Sequence, residues 1–312
     1  MEAPRSAWQR WGWLLRWGGT AAGIAYIAHV IDLGDAELAF QRISPVTLVA
    51  ATALVALNVV AGAARWRVLL TAYGAVARPG FGRATALYFV SFFYNNYLPG
   101  AVAGDVARGI VTREVFGARG ATAGLAVVLV ERLLGLFGVF LLLAIGLAAA
   151  GTAIDTGSLW AWSAAGIAGS LALVVALPFA RRLAPLLPGK LGEIAGRIPE
   201  LSSVPAFALA VVYSVATQAL VALAGWALLR DVDPQVGLGA SLLIVPLAAA
   251  TTFLPITVGG AGAREAVYVT LGARLFHMPQ SDALAASLAL WLAHLITGLA
   301  GAAIQLAQRR ER

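Results

Sequence analysis

The chain contains no cysteine, which excludes disulfides, thiolate nucleophiles and cysteine-ligated metal centres and leaves the redox compartment unreadable. Charge is scarce as well: Asp, Glu, Lys and Arg make up 12% of the 312 residues, about half the roughly 25% of soluble proteins. The longest polar-leaning interval, 179–203, is too short to fold alone, so no soluble catalytic domain is expected. No nucleophile and base constellation, metal-ligand cluster or glycine-rich loop in a βαβ setting occurs, because the stretches GAVAG and VGGAG are turns between helical stretches. The expectation is therefore a protein that is not an enzyme, holds no cofactor or metal, and is not driven by ATP within this chain.

What the sequence has instead is apolar length. Sixty per cent of residues are hydrophobic, mean hydropathy is +0.83, and several runs reach the roughly 20 residues needed to cross a bilayer core. The fold class expected is all-α, a polytopic helical membrane protein forming one transmembrane domain over 1–312. A net charge of +7 is spread between the apolar segments, a pattern that suits anionic lipid headgroups better than nucleic acid. At the start, Arg5, Arg10 and Arg16 alternate with Trp8, Trp11, Trp13 and Trp17, which reads as a cytoplasmic interfacial anchor and not a cleaved signal.

Six long spans are proposed, 14–31, 46–64, 121–150, 159–177, 205–229 and 283–306, with two shorter apolar segments, 84–98 and 236–254. Arginine and lysine are retained in cytoplasmic loops. The N-terminus, loops 65–83 and 181–197, and the tail carrying Arg309, Arg310 and Arg312 therefore face the cytoplasm, while Asp32, Asp35, Glu37, Asp155, Asp231, Asp233 and Asp282 face outside.

One motif occurs twice. Residues 98–108 read LPGAVAGDVAR and residues 254–264 read LPITVGGAGAR, an offset of 156, half of 312, which divides the chain into repeats 1–156 and 157–312. Basic residues flank the first copy (Arg78 and Arg83 before, Arg113 and Arg119 after), whereas Asp231, Asp233 and Asp282 flank the second. Segment 84–119 then enters from the cytoplasm and returns there, and 236–276 enters from outside and returns outside. The halves have inverted topology, each with a broken, re-entrant helix pair. The competing reading makes every short segment a complete crossing, although 84–98 as a helix is about 22 Å against a core of roughly 30 Å.

The first repeat supplies Asn95, Asn96, Pro99, Asp105 and Arg108. Proline and glycine let the chain stop and restart, and a restarted helix directs free N–H groups at an anion. Arg108 would be the principal ligand of a phosphate headgroup with Asp105, three residues away, orienting it; alternatively Asp105 caps the helix and Arg108 lies at the cytoplasmic surface. The second repeat supplies Pro255, Gly260, Arg264 and Glu265, read either as part of the substrate path or as an internal ion pair without substrate contact. Glu131 and Arg132 interrupt an apolar run. They lie near the midplane if the span begins near Ala121, and at an interface if it begins at Leu133. His294 reads as a satisfied hydrogen-bonding residue or a proton relay. Arg65, Trp66 and Arg67 read as an aromatic and basic anchor or as headgroup capture.

Jointly, NNYLPGAVAGDVAR, the following Glu-Arg pair and FLPITVGGAGARE resemble the flippase-like membrane domain family found ahead of lysylphosphatidylglycerol synthetase domains and as stand-alone proteins. The resemblance implies polar functional positions at Asn96, Pro99, Asp105, Arg108, Glu131, Arg132, Pro255, Gly260, Arg264 and Glu265. It implies a flippase or transporter for an aminoacyl-phospholipid, hopanoid or polyprenyl-linked glycolipid in the bacterial cytoplasmic membrane, both termini inside. The aminoacyl transferase part is not represented, so lipid synthesis is not carried over. Expected partners are lipids with anionic or zwitterionic headgroups, with a lipid-modifying enzyme or glycosyltransferase as a protein partner. Two alternatives remain at this stage: a secondary transporter for a small anionic or zwitterionic solute, and a non-transporting adaptor for a glycosyltransferase. A lateral opening would separate the first from a lipid carrier, and the second requires no polar cavity.

Overall fold

A computed structural model describes residues 7–98, 103–150, 159–251 and 260–310 of the chain. The first Pro-Gly turn with Pro99, and the part of the second turn that holds Pro255, lie outside the described residues. So does Asp155.

The described residues are helical, with no strand among them. In chain order the elements are α1 (Ala7–Val30), α2 (Leu33–Gln41), α3 (Pro45–Ala72), α4 (Phe81–Tyr97), α5 (Ala103–Val111), α6 (Gly120–Ala150), α7 (Leu159–Ala176), α8 (Ala180–Leu183), α9 (Gly189–Arg197), α10 (Val204–Val232), α11 (Leu238–Ala250), α12 (Ala263–Phe276) and α13 (Gln280–Arg310). Five of these stretches are long and apolar enough to cross a membrane: α3, α6, the stretch from Trp160 to Leu186, α10 and α13. The sixth span expected at 14–31 falls almost wholly within the helix α1.

The two longest central helices begin alike. Ser44 caps α3 by accepting from Thr47 N at 3.0 Å, with Pro45 at the first helical position, and Ser203 caps α10 by accepting from Ala206 N at 3.3 Å, followed by Pro205. They pack along each other in the centre. Four further helix contacts recur in the two halves. α4 packs on α13 as α11 does on α6, α3 on α4 as α10 on α11, α4 on α5 as α11 on α12, and α5 on α6 as α12 on α13.

Loop contacts define the two ends. At one end, Ser202 N donates to Ala72 O at 2.7 Å and Val76 N to Val115 O at 2.9 Å, joining the connections after α3, after α5 and before α10. At the other, Arg42 pairs with Asp282 and donates to Val232 O, while Ser44 N donates to Asp231 at 2.6 Å, joining the connections before α3, after α10 and before α13. Asp231 and Asp282 therefore share an end opposite the one bearing Arg78 and Arg113.

Close helix approach depends on glycine. Gly104 on α5 sits against the Ser91 carbonyl of α4, where any Cβ would overlap that backbone oxygen. Gly262, at φ +82°, lies against Gly23 of α1, and a Cβ on Gly23 would sit 2.7 Å from its backbone.

Candidate functional site

α6 begins at Gly120, so Glu131 lies eleven positions inside the helix, about 16 Å along it, and is 2% exposed. An ionised carboxylate at that depth needs compensation. Arg65 on α3 donates to Glu131 Oε1 from Nη2 at 2.9 Å and from Nε at 3.3 Å. Arg108 on α5 donates to Oε2 at 2.6 Å, and the Tyr88 hydroxyl on α4 donates to Oε1 at 2.7 Å. Arg65 also reaches Ser214 and Thr217 on α10, so this carboxylate links both halves of the chain. The Arg108 guanidinium stacks 4.3 Å from the Tyr88 ring centroid and 4.9 Å from that of Trp66, which compensates a cation whose Nε and Nη1 have no hydrogen-bond partner.

Arg132, one position on, turns to Asp105: its Nη2 and Nε donate to Oδ2 at 2.6 and 3.0 Å, and the Ser91 hydroxyl donates to Oδ1 at 3.0 Å. Asp105 was expected to orient Arg108, yet that contact is the weakest in the cluster at 3.4 Å. Arg108 is neither at the cytoplasmic surface nor on the wall of the large cavity described below, because Glu131 and two aromatic faces enclose it. Tyr88→Phe, which deletes one hydrogen bond to the carboxylate and one from Arg65, is expected to lower stability by about 1.5 kcal/mol, read as a lower melting temperature of the detergent-solubilised protein.

In the second half, Glu265 closes a capping box at the start of α12: its Oε2 accepts from Gly262 N at 2.7 Å, while Oε1 accepts from Arg264 Nε at 2.8 Å and also from its Nη2. The paired arrangement anticipated from the sequence is present. Gly260, at φ +82°, accepts from Arg264 N at 2.9 Å.

A cavity of about 490 Å³ lies between α4, α10, α11, α12 and α13, and it brings Asn95 and Asn96 of the first repeat to Arg264 of the second. Asn95 Oδ1 accepts from Gly104 N at 2.9 Å, so one amide serves as a remote cap for α5 while facing the cavity. Asn96 Nδ2 donates locally to Phe92 O. Trp291 lies along the same wall, its ring centroid 5.7 Å from the Arg264 guanidinium carbon. His294 Nδ1 is 2.8 Å from Leu290 O, which can only accept, and the ring stacks on Phe92; these contacts match the hydrogen-bonding reading of this residue.

The structure thus divides the candidate residues into two groups. Asp105, Arg108, Glu131 and Arg132 form the ion-pair cluster, and Asn95, Asn96 and Arg264 line the cavity, with Glu265 held behind Arg264. Arg65 was read from the sequence as one of a triplet that either anchors at the interface or captures a headgroup. The helix instead continues to Ala72, so Arg65 and Trp66 turn inward while Arg67 donates to Pro79 O at the rim. The signal was available: apolar Trp66, Leu69 and Leu70 extend the helical period beyond Ala64. Tyr268, Gln218 and Trp291 were also missed, because each stands alone on an apolar helix.

Long apolar helices, a paired ionic cluster inside the bundle and a largely apolar cavity beside it with a few polar side chains define a multi-pass helical membrane protein. The chain belongs to the family of the lysylphosphatidylglycerol synthase transmembrane region, which it matches over residues 13–301. No curated protein matches the chain.

Proposed function

We propose that this protein is a lipid flippase of the bacterial cytoplasmic membrane, carrying a polar headgroup through the cavity between its halves while the lipid tails stay in the bilayer. The observation that carries the reading is the cavity's composition. Polar Asn95, Asn96 and Arg264 share it with Tyr97, Leu98 and Trp291, which are 40%, 46% and 42% exposed. A largely apolar cavity that carries a few polar side chains and exposed apolar groups suits a lateral opening to lipid tails, whereas a solute carrier needs an aqueous vestibule and an adaptor needs no cavity.

Inverted, re-entrant halves fit the same reading. At 17 and 9 residues, α4 and α5 are about 25 and 14 Å long, and α11 and α12, at 13 and 14 residues, are about 20 and 21 Å, all short of a core of roughly 30 Å. Cysteine placed at exposed Arg113 is expected to label from the cytoplasm, and cysteine at exposed Pro279 from outside, in a chain that carries no other thiol. Labelling of both from one side removes the inverted arrangement.

The transport test is reconstitution of the full chain into vesicles with a trace of tail-labelled lipid. Faster access of the label to a membrane-impermeant quencher than in protein-free vesicles is the expected result. Rates equal to the protein-free control reject the flippase reading.

A further inference from the structure

We infer that α9 and the turns before it, between the span ending at Leu186 and α10, form an interfacial anchor that binds the anionic lipid surface at the end of the bundle bearing Arg78 and Arg113. This surface lies outside the cavity, and its role does not depend on transport.

Three sides of α9 meet three environments. At about 100° per residue, Lys190, Glu193 and Arg197 fall on one side of the helix, Ala195 on the opposite side, and Leu191 and Ile194 between the two. Ala195 is buried, together with Ala180 and Ile198, in the core cluster that contains Trp66, Tyr73 and Phe116, so that side is spent on the bundle. Gly192 permits the helix to lie back on the turn before it, because a Cβ there would sit 2.7 Å from Leu187 O and 2.8 Å from Ala184 O. The charged side is exposed. The side between is apolar and exposed as well, Leu191 at 60% and Ile194 at 42%, and just before α9 Leu186 is 79% exposed. A helix at the surface of a soluble bundle needs only an apolar inner face and a polar outer one. An exposed apolar side between those two is what a helix needs where protein, acyl chains and water meet.

Chain continuity and charge name the occupant. The chain leaves one apolar span at Leu186 and enters the next at Val204, and Ser202 N donates to Ala72 O at 2.7 Å, which ties the return to the end of α3. α9 is thereby held at the level where the spans end, within reach of the bilayer surface. Segment 179–203 carries Arg181, Arg182, Lys190 and Arg197 against two carboxylates, Glu193 and Glu200. Arg181 and Glu200 pair at 3.4 Å with both side chains exposed, a contact in water that is readily exchanged for a lipid phosphate. A basic excess beside exposed apolar side chains matches anionic headgroups over acyl chains.

The test uses the absence of native thiols: Leu191→Cys and Glu193→Cys report the apolar and charged sides of the same helix. Each variant is placed at one copy per nanodisc, in phosphatidylcholine or in an equimolar mixture with phosphatidylglycerol, and alkylated with a water-soluble maleimide. Rates are normalised to the same variant unfolded in dodecyl sulfate. The Glu193 variant is expected to react freely in both discs. The Leu191 variant should react several-fold more slowly, and more slowly again with phosphatidylglycerol, because a thiol among acyl chains does not ionise. Adding Lys190→Gln and Arg197→Gln to the Leu191 variant should remove the dependence on phosphatidylglycerol while keeping the protection seen in phosphatidylcholine. Equal normalised rates at the two positions in both discs place the segment in water and overturn the inference. Protection of the Leu191 variant that is the same with and without phosphatidylglycerol overturns the assignment to anionic lipid. With one copy per disc and no other protein present, protection cannot come from a second copy or a protein partner.

Discussion

Glu131→Gln is expected to destabilise the protein by about 3–5 kcal/mol and to abolish transport, the largest loss among single substitutions in the ion-pair cluster. The isosteric amide keeps the volume and one acceptor, so any loss comes from charge and not from a cavity. Arg65 and Arg108, 8% and 3% exposed, would then lie beside a neutral group with no other carboxylate on Arg65 and only the 3.4 Å contact to Asp105 on Arg108. The measurement is the thermal midpoint in detergent for Glu131→Gln, Arg108→Met and the double variant. The double variant should recover much of the loss, because a buried charge pair removed together costs less than one partner left alone. An unchanged midpoint for Glu131→Gln would mean that water reaches the cluster and that its charges are solvated.

Gly104→Ala is expected to act through the backbone, at or above the upper end of the roughly 1–3 kcal/mol typical of overpacking. The added methyl overlaps the Ser91 carbonyl, a backbone atom that no rotamer change can move, so α5 must shift away from α4. That shift would pull Asp105 from the Ser91 hydroxyl and Gly104 N from Asn95, disturbing both the ionic cluster and one wall of the cavity. Gly82→Ala is the control, since Gly82 is exposed, lies in the first turn of α4 and has open space where a Cβ would go. There the substitution should be neutral or stabilising by up to about 1 kcal/mol through helix propensity. Equal melting temperatures for the Gly104 variant and the unsubstituted protein would contradict the tight α4–α5 approach.

Much of the architecture is legible because apolar length is a one-dimensional signal. The runs at 121–150, 205–229 and 283–306 correspond closely to α6, α10 and α13, and the basic and acidic loops sort to opposite ends of the bundle. The repeat also located the helix break before α5 and the start of α12. The ending of the second span did not survive, because Arg65 stops an apolar count although it does not stop a helix. A charge inside a span reads from the sequence as a boundary, and whether it is one depends on the presence of a partner on another helix. Here the partner is Glu131, 66 positions away.

The same reason separates what the sequence alone determined from what only the tertiary structure decided. Composition, span positions, the paired breaks and the end to which each loop belongs follow from local hydropathy and charge, which act on each segment independently of its neighbours. The pairing of charges does not. Arg108 was assigned to a ligand and Asp105 to Arg108 because they share a helix face, whereas packing of five helices gives Arg108 to Glu131 and Asp105 to Arg132. Which cations are drawn into the buried cluster and which, Arg264 with its partner Glu265, reaches the cavity depends on interhelical distances of a few ångströms, set by close approaches such as Gly104 on Ser91 and Gly262 on Gly23. In a low-dielectric interior those distances decide which partner neutralises each charge.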